Sequence, residues 1–152
     1  MPAWGRSEIE SLLPHRGAAL FLDGANVDEW HVDAQASWPE SHPHLAGHFP
    51  GHPLVPGVFL IEAGAQAAGL VLASKPASQQ YFGLLSGVRK SLIHYPVRPG
   101  ERIDFAIDVK RMGASSFFSA VGFAHNDTGR KVLTVEITIA VIERTALEAL
   151  GD

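Results

Sequence analysis

The sequence predicts an α+β fold in which an antiparallel β-sheet wraps one long central helix. Two observations carry this. Gly57 to about Ser74 is apolar or small almost throughout, long enough for about five helical turns and without a polar face to offer water. Most segments after it alternate apolar and polar residues, the period of a half-buried strand. A helix that is apolar all round has to be covered on most sides, and a sheet that curls about it does this. Ala63, Gly64, Ala65, Ala67, Ala68 and Gly69 make the helix thin, so a sheet or second helix can come close.

The elements follow in order. Ser7 to Leu13 reads as a short helix, with Ser7 as N-cap, Glu10 three residues on and Pro14 as its stop. Ala19–Val27 and Trp30–Trp38 read as strands. Pro39 to Pro56 carries five of the ten prolines, which remove N–H donors and fix φ, so this stretch is a stiff loop. The long helix ends before Pro76. Tyr81–Ser86 and Ser91–Val97 are strands, the second closed by the turn Arg98-Pro-Gly-Glu101. Ile103, Phe105, Ile107 and Val109 keep a period of two, as do Phe117, Ser119, Val121 and Phe123, and then Val135, Ile137, Ile139 and Val141. Asn126-Asp-Thr-Gly129 is the hairpin turn between the last two strands.

At 152 residues the chain reads as one domain with a real core. A formal net charge of −4 gives a nucleic-acid partner no global support. With no cysteine, disulfides, thiolate nucleophiles and Cys-ligated zinc are excluded. The N-terminus has no apolar signal region, and Pro56, Glu62 and Gln66 interrupt the one apolar stretch, so the expectation is a cytoplasmic protein with no membrane span.

The residues that carry chemistry lie between His48 and Gln66. His48 sits on the proline-rich loop beside Phe49 and Pro50, in a fixed and partly dry place, where a neutral imidazole suits proton removal. Glu62 lies inside the apolar helix. A buried carboxylate without a partner is costly, so it is either protonated or hydrogen-bonded, and Gln66, one turn on, can donate to it. The plain reading is a satisfied Glu–Gln pair. The functional one is an acid with a raised pKa, able to protonate a leaving hydroxyl. Gly57 and Val58 open the helix with N–H groups that lack intrahelical acceptors, a place for a developing oxyanion. His42, His44, His48 and His52 include two His-x3-His spacings, but Pro43, Pro50 and Pro53 forbid the helix such a metal pair needs, so no metal is expected. Lys110 and Arg111 form a small basic patch, either ordinary surface or a contact for an acidic partner.

The run His48-Phe-Pro-Gly-x-Pro-x-x-Pro-Gly57-Val-x-x-x-Glu62-Ala-x-Ala-Gln66 closely resembles the FabZ-type 3-hydroxyacyl-(acyl-carrier-protein) dehydratases. Leu13-Pro-His-Arg16 and Pro96-Val-x-Pro-Gly-Glu101 extend the resemblance along most of the chain. It implies a hotdog fold, a dimer, often a trimer of dimers, and sites at the dimer interface. Carried over, His48 matches the catalytic histidine, Glu62 the catalytic glutamate, Gly57 the glycine whose N–H holds the thioester carbonyl, and Gln66 a glutamine that orients the glutamate. Phe49, beside His48, is expected to contact the substrate. Glu62 argues against the FabA-type dehydratase–isomerases, which place Asp there, and the Asp-x-Asn-Pro-x-His motif of R-specific enoyl-CoA hydratases is absent. The implied reaction turns (3R)-3-hydroxyacyl-carrier-protein thioesters into trans-2-enoyl thioesters. It takes no metal or redox cofactor, and phosphopantetheine arrives with the substrate.

The chain departs from the family pattern in two places. Arg16-Gly-Ala-Ala-Leu-Phe-Leu22 replaces Arg-x-Pro-Phe-Leu, and Ser91-Leu-Ile93 replaces Ala-Arg-Phe. These positions line or flank the implied substrate tunnel, which leaves a specialised acyl or polyketide-type pathway as open as fatty-acid elongation. Two other readings stand beside the dehydratase: a hotdog thioesterase, whose glutamate activates water, and a silent hotdog subunit that binds acyl chains or pairs with an active enzyme. Product analysis separates the first, and the intact His48/Glu62 pair argues against the second.

Overall fold

A long helix, α2 (Gly57–Ala73), lies in the curve of an antiparallel sheet in the computed structural model, which describes residues 2–151. The strands are β1 (Trp4–Gly5), β2 (Leu22–Asp28), β3 (His31–Ala36), β4 (Tyr81–Val88), β5 (Leu92–Ile93), β6 (Ile103–Arg111), β7 (Phe117–Asn126) and β8 (Lys131–Glu143). They pair in the order β1-β2-β3-β6-β7-β8-β4, with β5 beside β8. A short helix, α1 (Arg6–Leu12), precedes β2, and another, α3 (Arg144–Glu148), follows β8. This is the architecture the apolar helix demands.

Helix α2 buries Leu60, Ala63, Gly64, Ala65, Gln66, Ala67, Ala68, Leu70 and Val71. Its small residues act as expected: a Cβ on Gly64 would lie 3.4 Å from Ile107 of β6 and 3.8 Å from Val135 of β8. The inward faces of β6 and β8 supply Ile103, Phe105, Ile107, Val135, Ile137 and Ile139, all buried. Fully burying each such side chain contributes about 1.5–3 kcal/mol. Ser74 caps the C-terminus and Pro76 prevents continuation.

Several boundaries differ from expectation. The cap of α1 is Gly5, whose N–H donates to the Glu8 carboxylate at 2.9 Å, rather than Ser7 with Glu10. The chain turns through a 3-10 segment, Gly17–Ala19, before β2 begins at Leu22. The strand expected over Trp30–Trp38 is confined to His31–Ala36, and the one expected over Ser91–Val97 shrinks to Leu92–Ile93. Strand β7 has the opposite phase. Phe118, Ala120 and Ala124 point inward, whereas Phe117, Val121 and Phe123 are exposed. The physical reason is register: Phe118 faces Ile139 and Ala120 faces Ile137, both inward residues of β8, and one residue of slip reverses every side chain.

The expected hairpin turn joins β7 to β8, and a one-residue bulge between Ala124 and His125 sets the register beyond it. Asn126 accepts the Gly129 N–H on its carbonyl at 2.9 Å, and its side-chain oxygen accepts from Thr128 and Arg130. Gly129 has φ +79°, which glycine adopts without strain.

Gly122 of β7 pairs with Ile107 of β6. A Cβ there would overlap the Ala106 carbonyl oxygen and lie 2.9 Å from the Ile107 Cα, both backbone atoms that cannot swing aside. Gly122→Val is therefore expected to cost about 3 kcal/mol or more, read as a lower urea midpoint at unchanged slope.

Candidate active site

His48 stands on the loop before α2, half-buried, its ring stacked on Phe49 with centroids 4.5 Å apart. Its Nδ1 lies 2.9 Å from the Leu54 carbonyl oxygen. A carbonyl only accepts, so Nδ1 carries the hydrogen and donates it. The neutral ring then has its lone pair on Nε2, the atom able to take a proton. Phe49 itself is 55% exposed, so it braces one face of the imidazole and presents its other side outward.

The N-terminus of α2 is open. Phe59 is the first helical residue whose N–H finds a backbone acceptor, the Pro56 carbonyl at 2.9 Å, which leaves the N–H groups of Gly57 and Val58 unpaired. The side chain of Val58 faces outward. A Cβ on Gly57 would collide with Ile93 Cδ1. Glycine therefore lets the β5 residue Ile93, one of the departures from the family pattern, sit directly against the helix start.

One turn further, Glu62 is held by its neighbours. Gln66 Oε1 accepts the Phe21 N–H at 2.9 Å, while its Nε2 donates to the Ala19 carbonyl at 2.8 Å and to Glu62 Oε1 at 3.0 Å. The backbone N–H of Phe21 fixes which end of the amide is oxygen, so the other end has to donate toward Glu62. The altered stretch after Arg16 thus supplies both backbone partners of Gln66.

His15, which sequence reasoning did not single out as a site residue, brings Nε2 to 3.4 Å from the same Glu62 oxygen. Burial pushes the Glu62 carboxyl up, but the imidazole of His15 and the amide of Gln66 outweigh it, and the group sits below the ordinary glutamate value. The expected raised pKa is therefore corrected. The reason is a second donor, brought by a loop 47 residues away, that the helix alone did not reveal. The only signal for it was the Leu13-Pro-His-Arg16 match.

Glu62 opens on a groove of about 1330 Å³ whose walls include α1, α2 and β4. His48 opens on a separate depression of about 450 Å³ with Pro43, His44, Gly47, Pro56 and Phe59. Neither cavity is lined by both residues. Of the basic patch, Lys110 is exposed, while Arg111 lies over the Phe118 ring at 5.2 Å and lines the Glu62 groove. His42 is not a ligand in waiting: it is buried, with Nε2 3.2 Å from the Ala18 carbonyl, and packs against Phe21 and Phe59. Among the described residues no three histidine or carboxylate side chains are arranged to hold a metal ion. No helix among them is long and apolar enough to cross a membrane.

A helix clasped by an antiparallel sheet, with a carboxylate on its second turn and a histidine on the loop before it, has the architecture of a hotdog protein. The family model for ApeI-like dehydratases (ApeI dehydratase) matches residues 25–131, and the chain belongs to that family. It is 30% identical over 152 residues to the 3-hydroxyacyl-(acyl-carrier-protein) dehydratase FabZ of Chlamydia trachomatis, covering 96% of this chain and 97% of the relative. It is 40% identical over 98 residues to the FabZ of Thermus thermophilus, covering 63% and 69%. In fold it resembles the dehydratase heterocomplex ApeI:P from Xenorhabdus doucetiae, with TM-score 0.74, 22% identity and coverage of 95% and 97%. A thioesterase superfamily member from Thermus thermophilus shares the fold at TM-score 0.63 and 16% identity, covering 82% and 89%.

Gln66→Met tests the clamp. It leaves the Phe21 N–H and the Ala19 carbonyl without partners and is expected to cost roughly 2–4 kcal/mol in urea denaturation at neutral pH. Part of that loss belongs to Glu62. Its depressed pKa adds stability above the unfolded glutamate value, and this is lost as pH falls through the lower folded value. The gap between wild type and variant should therefore narrow in acid.

Proposed function

We propose that the protein removes water from (3R)-3-hydroxyacyl thioesters carried on an acyl carrier protein, giving trans-2-enoyl thioesters. The observation that carries this is the arrangement on α2: two unpaired N–H groups at its start and, one turn on, a carboxyl anchored by a single oxygen. The thioester oxygen accepts from the Gly57 N–H, with that of Val58 beside it, as C2 gains enolate character. His48 Nε2 takes the C2 proton. Glu62 gives a proton to the C3 hydroxyl, the C3–O bond breaks, and water leaves. The electron pair of the C2–H bond becomes the C2=C3 double bond. No net oxidation or reduction occurs, so the proposal includes no redox group and no metal, and phosphopantetheine comes with the substrate. Relatives named FabZ and the ApeI fold neighbour support this reading.

Lys110 and Arg111 are proposed to meet the acidic carrier, Arg111 from the rim of the Glu62 groove. The groove also runs along β4, an outer strand of the sheet, where Leu84, Leu85 and Val88 are exposed. A second copy docked on β4 would bring its own His48 toward this Glu62 and complete two shared sites, which accounts for two cavities that each hold half of the pair.

The direct test is to incubate the protein with a series of 3-hydroxyacyl carrier proteins and follow loss of water by mass spectrometry. Free acid and free thiol would instead point to a thioesterase. His48→Ala and Glu62→Gln are each expected to lower turnover by roughly 10²–10⁴ while the protein stays folded. Near-normal turnover in either removes the assigned acid or base. Complementation tests the shared site: His48→Ala and Glu62→Gln chains, mixed by co-expression, should recover about a quarter of wild-type activity, because half the dimers are mixed and each has one intact site. Verified mixed dimers that stay inactive would refute it.

A further inference from the structure

Proline-rich motifs and the long helix account for His48, Gly57 and Glu62, but not for His15. It stands just after α1, where Pro14 has ended the helix, and it lines the groove into which Glu62 opens. Its Nε2 and the Gln66 amide converge on one Glu62 oxygen, Oε1. No donor among the described residues meets Oε2, although the Glu62 side chain is only 36% exposed. The carboxyl therefore has one tethered oxygen and one free oxygen.

The other ring nitrogen of His15 settles how the tether works. Nδ1 is buried and has no hydrogen-bond partner. A hydrogen placed on Nδ1 would be a buried donor without an acceptor, which is costly. A neutral ring therefore keeps its hydrogen on Nε2, facing Oε1. In that state the Nε2–H of His15 lies against Glu62 Oε1 in a long 3.4 Å contact, Gln66 donates to the same atom at 3.0 Å, and a carboxyl proton has only Oε2 left to occupy.

We propose that His15 is a positioning residue for the dehydration: it holds Glu62 by Oε1, keeps the transferable proton on Oε2, and stabilises the carboxylate left when that proton departs with the hydroxyl. The inference rests on the reaction proposed above. In that step the Oε2–H bond breaks, the C3 hydroxyl oxygen gains the proton and leaves as water, and the new negative charge on Glu62 is met by two donors already in place. His15 itself neither gains nor loses a proton in the step. The cost of the arrangement is that the same two donors hold Glu62 below its ordinary value, so fewer sites carry the proton at neutral pH. The other titratable or charged residues along the groove are Lys75, Tyr81, Arg111 and Arg144, and Glu62 pairs with none of them.

Two variants separate positioning from packing. His15→Ala removes the tether, while His15→Gln restores an uncharged amide donor near the Nε2 position. Carbon-13 NMR titration of the Glu62 carboxyl reads the contact directly, whether or not the protein turns over. In His15→Ala, Glu62 should titrate at higher pH than in wild type, and the limb of the pH–rate profile that belongs to it should move the same way. kcat should nevertheless fall roughly ten- to hundredfold, although more Glu62 is protonated at neutral pH, with KM little changed. His15→Gln should recover most of kcat. An unmoved Glu62 titration, or a kcat equal to or above wild type in His15→Ala, overturns the proposal. Should the alanine variant not fold, the glutamine variant decides: kcat within a few fold of wild type with Glu62 titrating as in wild type supports the tether, and a near-wild-type kcat with a raised Glu62 sinks it. A wild-type protein that dehydrates nothing would overturn the reaction, whereas the titration would still show whether His15 grips Glu62.

Discussion

A helix enclosed by sheet has almost no water to fall back on, and every polar group it carries has to be satisfied by protein. In α2 this burden rests on Gln66, which is buried and uses its full amide: one oxygen for Phe21, one N–H for Ala19, one for Glu62. The site depends on that clamp. It ties α2 to the segment leading into β2, fixes the amide orientation without ambiguity, and so decides which oxygen of Glu62 is anchored. Small residues on the rest of the helix let the sheet come near enough for the clamp to close. The packing requirement and the chemical one are met by the same short stretch of sequence.

His48 and His15 show how backbone carbonyls and empty space assign roles without charge. Leu54 accepts from Nδ1 of His48 and so leaves Nε2 basic. At His15 the want of any acceptor near Nδ1 places the hydrogen on Nε2 and makes that atom a donor. The same side chain is set as an acceptor in one place and a donor in the other by what faces its remote nitrogen. This division suits a reaction in which one proton is taken up and another given out.

Local pattern revealed the long helix, the hairpin at Asn126–Gly129 and the inward faces of β6 and β8, because each is written within one continuous stretch of chain. The pairing of Glu62 with Gln66 was legible for the same reason, since four positions on a helix is one turn. What could not be read were the features set by distant chain. The phase of β7 depends on its register with β8, and its apolar residues Phe117, Phe118, Val121 and Phe123 fall on both faces. His15 reaches Glu62 across 47 positions, and its effect reverses the direction of the pKa expected for a buried acid. The strand expected after Ser91 is cut short because its register with β8 covers Leu92 and Ile93 and ends with a bond from the His94 N–H to the Val132 carbonyl.

Strand β8 is the last of the sheet in sequence, yet it has three neighbours: β7 along one edge, and β4 and β5 in turn along the other. On the ribosome this order matters. Helix α2 is complete at residue 73, but the strands at 81–93 have no partner until residues 131–143 have emerged. For much of synthesis an apolar helix and unpaired strand backbone wait together for residues 131–143. A nascent chain that stalls before β8 is therefore a natural client for chaperones, and the final strand acts as the closing stitch of the domain.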